Sequence, residues 1–205
     1  MLVAINRQNP QPRLIRKAVE VLREGGIIIY PTDTVYGLGC DLFNKRGIEK
    51  IYEIKKRNKK QPFSFVCADL KDISRYALVS NYAYKTMKRL LPGPYTFILE
   101  ASKEVPRRVS HPSRKTIGLR VPEHKALQEL LALHNGPLLA TTLIAIGETD
   151  PLNDAHEIRD RYEHQVGAVI DAGACALEPT TVVDLTGGDP VIIRQGRGDI
   201  AALGL

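Results

Sequence analysis

Residues 27–40 read Ile-Ile-Ile-Tyr-Pro-Thr-Asp-Thr-Val-Tyr-Gly-Leu-Gly-Cys. The run Ile27 to Tyr30 is compact, apolar and rich in β-branched residues, the pattern of a strand covered on both faces. Pro31 ends it, and Thr32-Asp33-Thr34 opens a polar turn before Tyr36-Gly37-Leu38-Gly39. Ligands of α/β sheets bind beyond the carboxyl ends of strands, and here hydroxyls and glycines gather at such an end. The glycines follow neither phosphate-loop nor dinucleotide spacing, so neither of those motifs is available. A tight turn with capping hydroxyls accounts for the stretch equally well.

Upstream, Leu2 to Ile5 has the makings of a short strand. From Pro12, the apolar residues Leu14, Ile15, Ala18, Val19 and Leu22 recur at helical spacing until Gly25-Gly26 stops them. Downstream, the spacing predicts helices over Lys45–Arg57, Asn81–Leu91, Glu123–His134 and Asp154–Tyr162. Strands are expected over Phe63–Cys67, Tyr95–Leu99, Thr116–Val121 and Leu138–Leu143, then in quick succession over Ala168–Asp171, Thr181–Leu185 and Val191–Arg194. Strands and helices alternate first and strands dominate later. The expected architecture is an α/β fold, an open twisted mixed β-sheet with helices packed on it. With 205 residues and no linker, one domain is expected, its core over about residues 13–199.

Hydrophobic residues make up 43% of the chain and charged residues 25%, enough to bury an ordinary globular core. The net charge of +6 favours anionic partners: nucleotides, RNA or acidic membranes. Cys40, Cys67 and Cys175 are odd in number and far apart, which suggests buried thiols in a reducing cytoplasm rather than disulfides or zinc. No apolar run reaches the length of a membrane span, and residues 1–12 hold no secretory core, so a cytoplasmic protein is expected. The five histidines, His111, His124, His134, His156 and His164, show no metal-ligand spacing and read as surface or capping groups. No Ser-His-Asp or Cys-His arrangement follows from spacing either.

Beyond residues 31–39, four segments could carry chemistry. Lys55-Lys56-Arg57-Asn58-Lys59-Lys60 holds five cations in six residues. Such a run is a solvated helix end or a phosphate grip, with Arg57 suited to bidentate contact. In Arg114-Lys-Thr-Ile-Gly-Leu-Arg120, strand alternation puts Thr116, Gly118 and Arg120 on one face. An arginine seldom buries unpaired, so that face reads as ligand-facing. Thr141-Thr142 closes a short apolar run, and Thr180-Thr181 precedes Arg194-Gln195-Gly196. Threonines in strands are also ordinary β formers.

Together these segments resemble the YrdC/YciO-like family of threonylcarbamoyl-AMP synthases from about Arg13 to Asp199. The matching pieces are PTDTVYGLG at 31–39, Lys55-x-Arg57, LPGPYTFIL at 91–99, TIGLRVPEH at 116–124, TTVVDL at 180–185 and IIRQG at 192–196. The resemblance implies a YrdC-like (DHBP synthase-like) fold around a concave basic cavity. It implies an enzyme that joins L-threonine, bicarbonate and ATP into threonylcarbamoyl-AMP and pyrophosphate, with Mg²⁺ accompanying the ATP. That product feeds the N6-threonylcarbamoyl modification of tRNA adenosine. Carried over by motif, Lys55 and Arg57 would be the catalytic cations on the ATP phosphates. Gln61, Thr116, Thr142 and Arg194 would complete the ATP site, and Thr34, Arg120 and Thr181 would hold threonine. No protein-held metal is implied, and the chain is expected as a monomer or homodimer.

Two positions depart from the family pattern. Ile144 stands for the asparagine of a Ser-x-Asn motif, and Val66 for a strand histidine near threonine; both place the chain nearer the YciO-like branch. Losing one such hydrogen bond costs roughly 0.5–1.5 kcal/mol, or more if its partner stays buried, which corresponds to about tenfold in affinity and does not require abolition. Val66 would also permit a different amino acid. The rival expectation is a module that grips double-stranded RNA or tRNA without chemistry. It would rest on Lys59, Lys60, Arg107, Arg108, Arg114 and Lys115.

Overall fold

The computed structural model describes residues 1–56, 63–106, 109–111 and 113–204. Six helices pack on one mixed sheet: α1 (Pro12–Arg23), α2 (Lys45–Lys55), α3 (Leu70–Tyr76), α4 (Asn81–Leu90), α5 (Lys125–His134) and α6 (Ala155–Tyr162). The strands are β1 (Leu2–Ala4), β2 (Ile27–Tyr30), β3 (Gly37–Asp41), β4 (Ser64–Val66), β5 (Ala77–Leu78), β6 (Tyr95–Ala101), β7 (Thr116–Arg120), β8 (Leu138–Thr142), β9 (Ala168–Asp171), β10 (Thr181–Asp184) and β11 (Val191–Arg194). Their spatial order is β1-β9-β2-β3-β8-β4-β7-β6-β10-β11, with β5 paired to β6. Parallel pairs (β1 with β9, β9 with β2, β4 with β7, β6 with β10) mix with antiparallel ones. The mixed α/β sheet read from the sequence is the one observed.

The helices form where the pattern and the caps agree. In α1, Ile15, Ala18, Val19 and Leu22 are buried on one stripe, and a proline opens the first turn, where its missing N–H costs nothing. Asn44, Ser80 and Asp154 cap α2, α4 and α6 by accepting backbone N–H groups three residues on. α2 stops at Lys55, two residues short of the expected end, because Lys56 turns left-handed at φ 44°.

Three of the described strands and α-helices were not legible. β3 is rich in glycine, which strands ordinarily avoid, yet it pairs on both sides, residues 37–40 with β2 and all five with β8. α3 has seven residues, too few for a periodic signal, and is fixed instead by Asp69, whose carboxylate accepts the N–H groups of Lys71 and Asp72. β5 has two residues.

The sheet separates two cores. On one face α2, α3, α4 and α6 bury residues such as Ile51, Ile73, Met87 and Ile158 against Leu38, Phe65, Phe97, Leu119 and Val183. On the other, α1 and α5 pack against each other and cover Val3, Ile28, Tyr30, Leu138 and Ile170. Past that pair, the same face continues over β4, β7, β6 and β10. There the sheet becomes the floor of a cavity.

Candidate functional site

The cavity holds about 490 Å³, within the range that takes a nucleotide-sized ligand. Strand alternation builds its floor. Ser64 and Val66 of β4, Gly118 and Arg120 of β7, and Ala140 and Thr142 of β8 all line it, each pair two residues apart. Thr96, Thr180 and Val182 extend the wall along β6 and β10. A register irregularity between Val182 and Val183 lets β11 turn both Ile193 and Arg194 to the cavity.

Three guanidinium groups from separate segments reach this space: Arg114, Arg120 and Arg194. Arg120 is the deepest. Its Nη2 donates to Asp33 Oδ1 at 2.6 Å and to Thr34 Oγ1 at 3.2 Å. The ion pair is nearly closed to water, with side-chain exposures of 11% for Arg120 and 9% for Asp33. Asp33 Oδ2 also accepts the backbone N–H of Glu123, tying the 31–39 turn to the segment after β7. Arg194 donates through Nε and Nη2 to the carbonyl of Thr180, whose hydroxyl in turn pairs with Thr96 at 2.8 Å. Partial burial, and then the charge of Arg120, lower the basicity of Arg194.

His111, Arg114 and Thr116 add a further wall, in which His111 is a residue that spacing alone did not reveal. His111 Nδ1 accepts the backbone N–H groups of Ser113 and Arg114, at 3.3 and 3.1 Å, and the His111 N–H closes onto the Thr116 carbonyl. With Nδ1 occupied as an acceptor, the ring proton of the neutral imidazole sits on Nε2, on a side chain that lines the cavity.

Of the residues expected at the site, Thr116, Arg120, Thr142 and Arg194 line this one cavity. Thr34 does not: it is fully buried, its hydroxyl shared between Arg120 and Thr32 at 3.2 and 3.0 Å. Thr181 is likewise turned away, because adjacent strand residues face opposite sides. Its hydroxyl donates to the Gly198 carbonyl and accepts the N–H of Gly196, and its neighbour Thr180 lines the cavity instead. Lys55 does not line the cavity either; its Nζ donates to the carbonyls of Thr142 and Ile144, bracing the end of β8. Arg57 and Gln61 lie outside the described residues, as do Lys59, Lys60, Arg107 and Arg108, on which an RNA-gripping surface would rest. Val66 is on the cavity wall, whereas Ile144 is not.

Sequence reasoning missed Asp33 and Tyr30. A buried arginine demands a carboxylate, and Asp33 stands in the very turn quoted first, so that partner could have been named. For Tyr30 the signal was the spacing of Gly37 and Gly39. Glycines two apart in a strand leave a groove on one face, and the Tyr30 ring fills it. A methyl at Gly37 would come within 2.9 Å of the ring, and one at Gly39 within 3.1 Å of it and 2.9 Å of the Leu139 carbonyl. Gly39→Ala is therefore expected to cost about 1–3 kcal/mol, as overpacking does. Urea unfolding reads this directly, and unchanged stability would show that the groove has slack.

Among the described residues, no group of three or more His, Cys, Asp or Glu could hold a metal ion, and Asp33 is committed to Arg120. Among them too, no helix is long and apolar enough to cross a membrane.

A family model named Sua5_yciO_yrdC, with the description "Telomere recombination", matches residues 20–196. An uncharacterized protein of Haemophilus influenzae is 48% identical over 198 residues, covering 96% of each chain. YciO of Escherichia coli is 45% identical over 196 residues, covering 96% of this chain and 95% of its own. A crystal structure of E. coli YciO superposes with a TM-score of 0.94 across 99% of this chain and 98% of that one. A threonylcarbamoyl-AMP synthase of Pyrococcus abyssi is 31% identical over 199 residues, 96% of this chain but 58% of that protein. The crystal structure of P. abyssi Sua5 complexed with L-threonine matches with a TM-score of 0.87 at 28% identity, over 96% of this chain and 57% of that one.

Proposed function

Because this chain belongs to the Sua5/YciO/YrdC family, we propose that it is a nucleotidyltransferase of the threonylcarbamoyl-AMP type. It would join L-threonine, bicarbonate and ATP, release pyrophosphate, and serve the N6-threonylcarbamoyl modification of tRNA. The observation that carries this reading is the convergence of Arg114, Arg120 and Arg194 on one hydroxyl-lined cavity. Relatives named threonylcarbamoyl-AMP synthases support it at the level of the family.

The reaction asks for positioning and charge more than for acid–base groups. Threonine and bicarbonate give a carbamate with loss of water. A carbamate oxygen attacks the α-phosphorus, the bond from that phosphorus to the bridging oxygen breaks, and pyrophosphate leaves with the electron pair. Charge builds on the phosphoryl oxygens throughout, and guanidinium groups neutralise it with bidentate geometry. Arg120, fixed by Asp33 and Thr34, is the group preorganised for the threonine carboxylate. Arg114 and Arg194, which line the same cavity, suit the triphosphate. Lys55 contributes by holding the Thr142–Ile144 segment in place, and Arg57 would add a cation on the phosphates. The described residues offer no carboxylate cage for magnesium, so Mg²⁺ would arrive on the ATP phosphates rather than in a protein-held site.

The test is pyrophosphate release by the purified chain. The proposal expects release from ATP with L-threonine and bicarbonate together, and background when either is omitted. Release that ignores threonine but answers to another amino acid would move the substrate assignment; no release under any combination would overturn the enzyme.

A further inference from the structure

The cavity floor contains two polar atoms that the protein has buried and left without partners among the described residues: the Tyr30 hydroxyl and Arg120 Nε. Both side chains line the cavity. Tyr30 is 1% exposed and Arg120 9%. A buried donor with no acceptor carries a desolvation cost and has no counterpart in water to offset it. One such atom is an accident of packing. Two on one floor describe the missing half of a contact.

The local geometry shows how they come to face one space. Tyr30 pairs with Gly37 across β2 and β3, and its ring crosses β3 over Gly37 and Gly39 towards β8. Gly39 pairs with Ala140 on β8, Ala140 with Ser64 on β4, and Val66 of β4 with Arg120 of β7. The phenol thus lies over β3 between Gly37 and Gly39, and the Arg120 guanidinium reaches from β7 back to the 33–34 turn, with Val66 and Ala140 on the strands between forming an apolar bed. Burial pushes the Tyr30 hydroxyl well above its ordinary acidity range, with the Arg120 charge opposing, so it remains a protonated donor at neutral pH. Arg120 Nη2 is held by Asp33 and Thr34, which leaves Nε–H as the buried donor of this guanidinium without a partner among the described residues.

Resting on the reading of this cavity as an amino-acid site, we propose that Tyr30 is a substrate-contacting specificity residue. Its hydroxyl and the Nε–H of Arg120 together take the carboxylate of the amino-acid substrate. The apolar bed of Val66 and Ala140 would then lie under the substrate's side chain, favouring a small one with a methyl group.

Tyr30→Phe separates this role from a structural one. If the hydroxyl has no partner in the empty protein, its removal leaves thermal unfolding unchanged or raises the midpoint. By calorimetry, L-threonine should bind the variant about tenfold more weakly, the loss of one ordinary hydrogen bond, while ATP binding stays as in the wild type. A midpoint lowered by several degrees with threonine affinity intact would overturn the proposal, because the hydroxyl would then have an internal or water partner. Equal losses for ATP and threonine would overturn it too, as a general disturbance of the cavity. A panel of L-serine, L-valine and L-alanine separates this inference from the one beneath it. If the wild type prefers one of these and Tyr30→Phe weakens that ligand tenfold, the threonine assignment falls and Tyr30 keeps its role. If the wild type binds no amino acid, both fall.

Discussion

Asp33→Ala is expected to destabilise the chain by about 3–5 kcal/mol, because it strands Arg120 in a site where its charge has no other described carboxylate. The pair is the buried joint between the 31–39 turn and the segment after β7, since Asp33 also accepts the Glu123 N–H. The loss is therefore electrostatic and architectural at once. Asp33→Ala/Arg120→Leu discriminates the two: removing both charges should recover most of the stability, as replacing a buried pair by apolar residues usually does. Urea midpoints of wild type, single and double variants read the result. If the double variant is as unstable as Asp33→Ala, the penalty lies in the lost tether and not in the orphaned cation.

The second large effect is a dependence on pH centred on His124. This residue caps α5, its Nδ1 accepting the Leu127 N–H, and is 3% exposed. Burial, with Arg7 adding to it and Asp33 opposing, depresses its imidazole from 6.5 to about 4. The folded state thus keeps His124 neutral where the unfolded chain takes up a proton. The stability it contributes is fully present above pH 6.5 and drains away as pH falls from 6.5 towards 4, by roughly 3 kcal/mol in all. His124→Asn retains a capping side chain without the titration. Between pH 7 and pH 4.5 its stability should fall by about 2 kcal/mol less than that of the wild type. Parallel slopes for the two proteins would remove His124 as the cause.

Most of the framework was legible because burial and periodicity agree along it. The β-branched run of β2 and the 3.6-residue stripe of α1 carry their fold in their order of side chains, and both stand where the pattern puts them. β3 was hidden by the trait that makes it useful: Gly37 and Gly39 weaken any strand signal while clearing room for the Tyr30 ring. The site was legible by element and less so by face. Thr116 and Arg120 follow from alternation within one strand. Thr34 lies buried behind Arg120 and Thr32, and Thr181 shares a motif with Thr180 but points the other way, so one residue of register decides which hydroxyl lines the cavity and which ties the backbone. Pairings across the chain, such as Asp33 with Arg120, leave no trace in local pattern.

The strand order has a consequence for how the chain comes into being. Among the described residues β1 pairs with β9, and the cavity draws residues from Tyr30 through to Arg194. A ribosome that has delivered the first 150 residues has made most of the helices, but not the wall that Thr180, Val182 and Arg194 supply. Contacts so distant along the chain form slowly. Meanwhile the central strands wait with an open flank, the state in which a nascent polypeptide is most exposed to sticking to its neighbours. The cavity of this protein is therefore completed late, with the closing of its final hairpin.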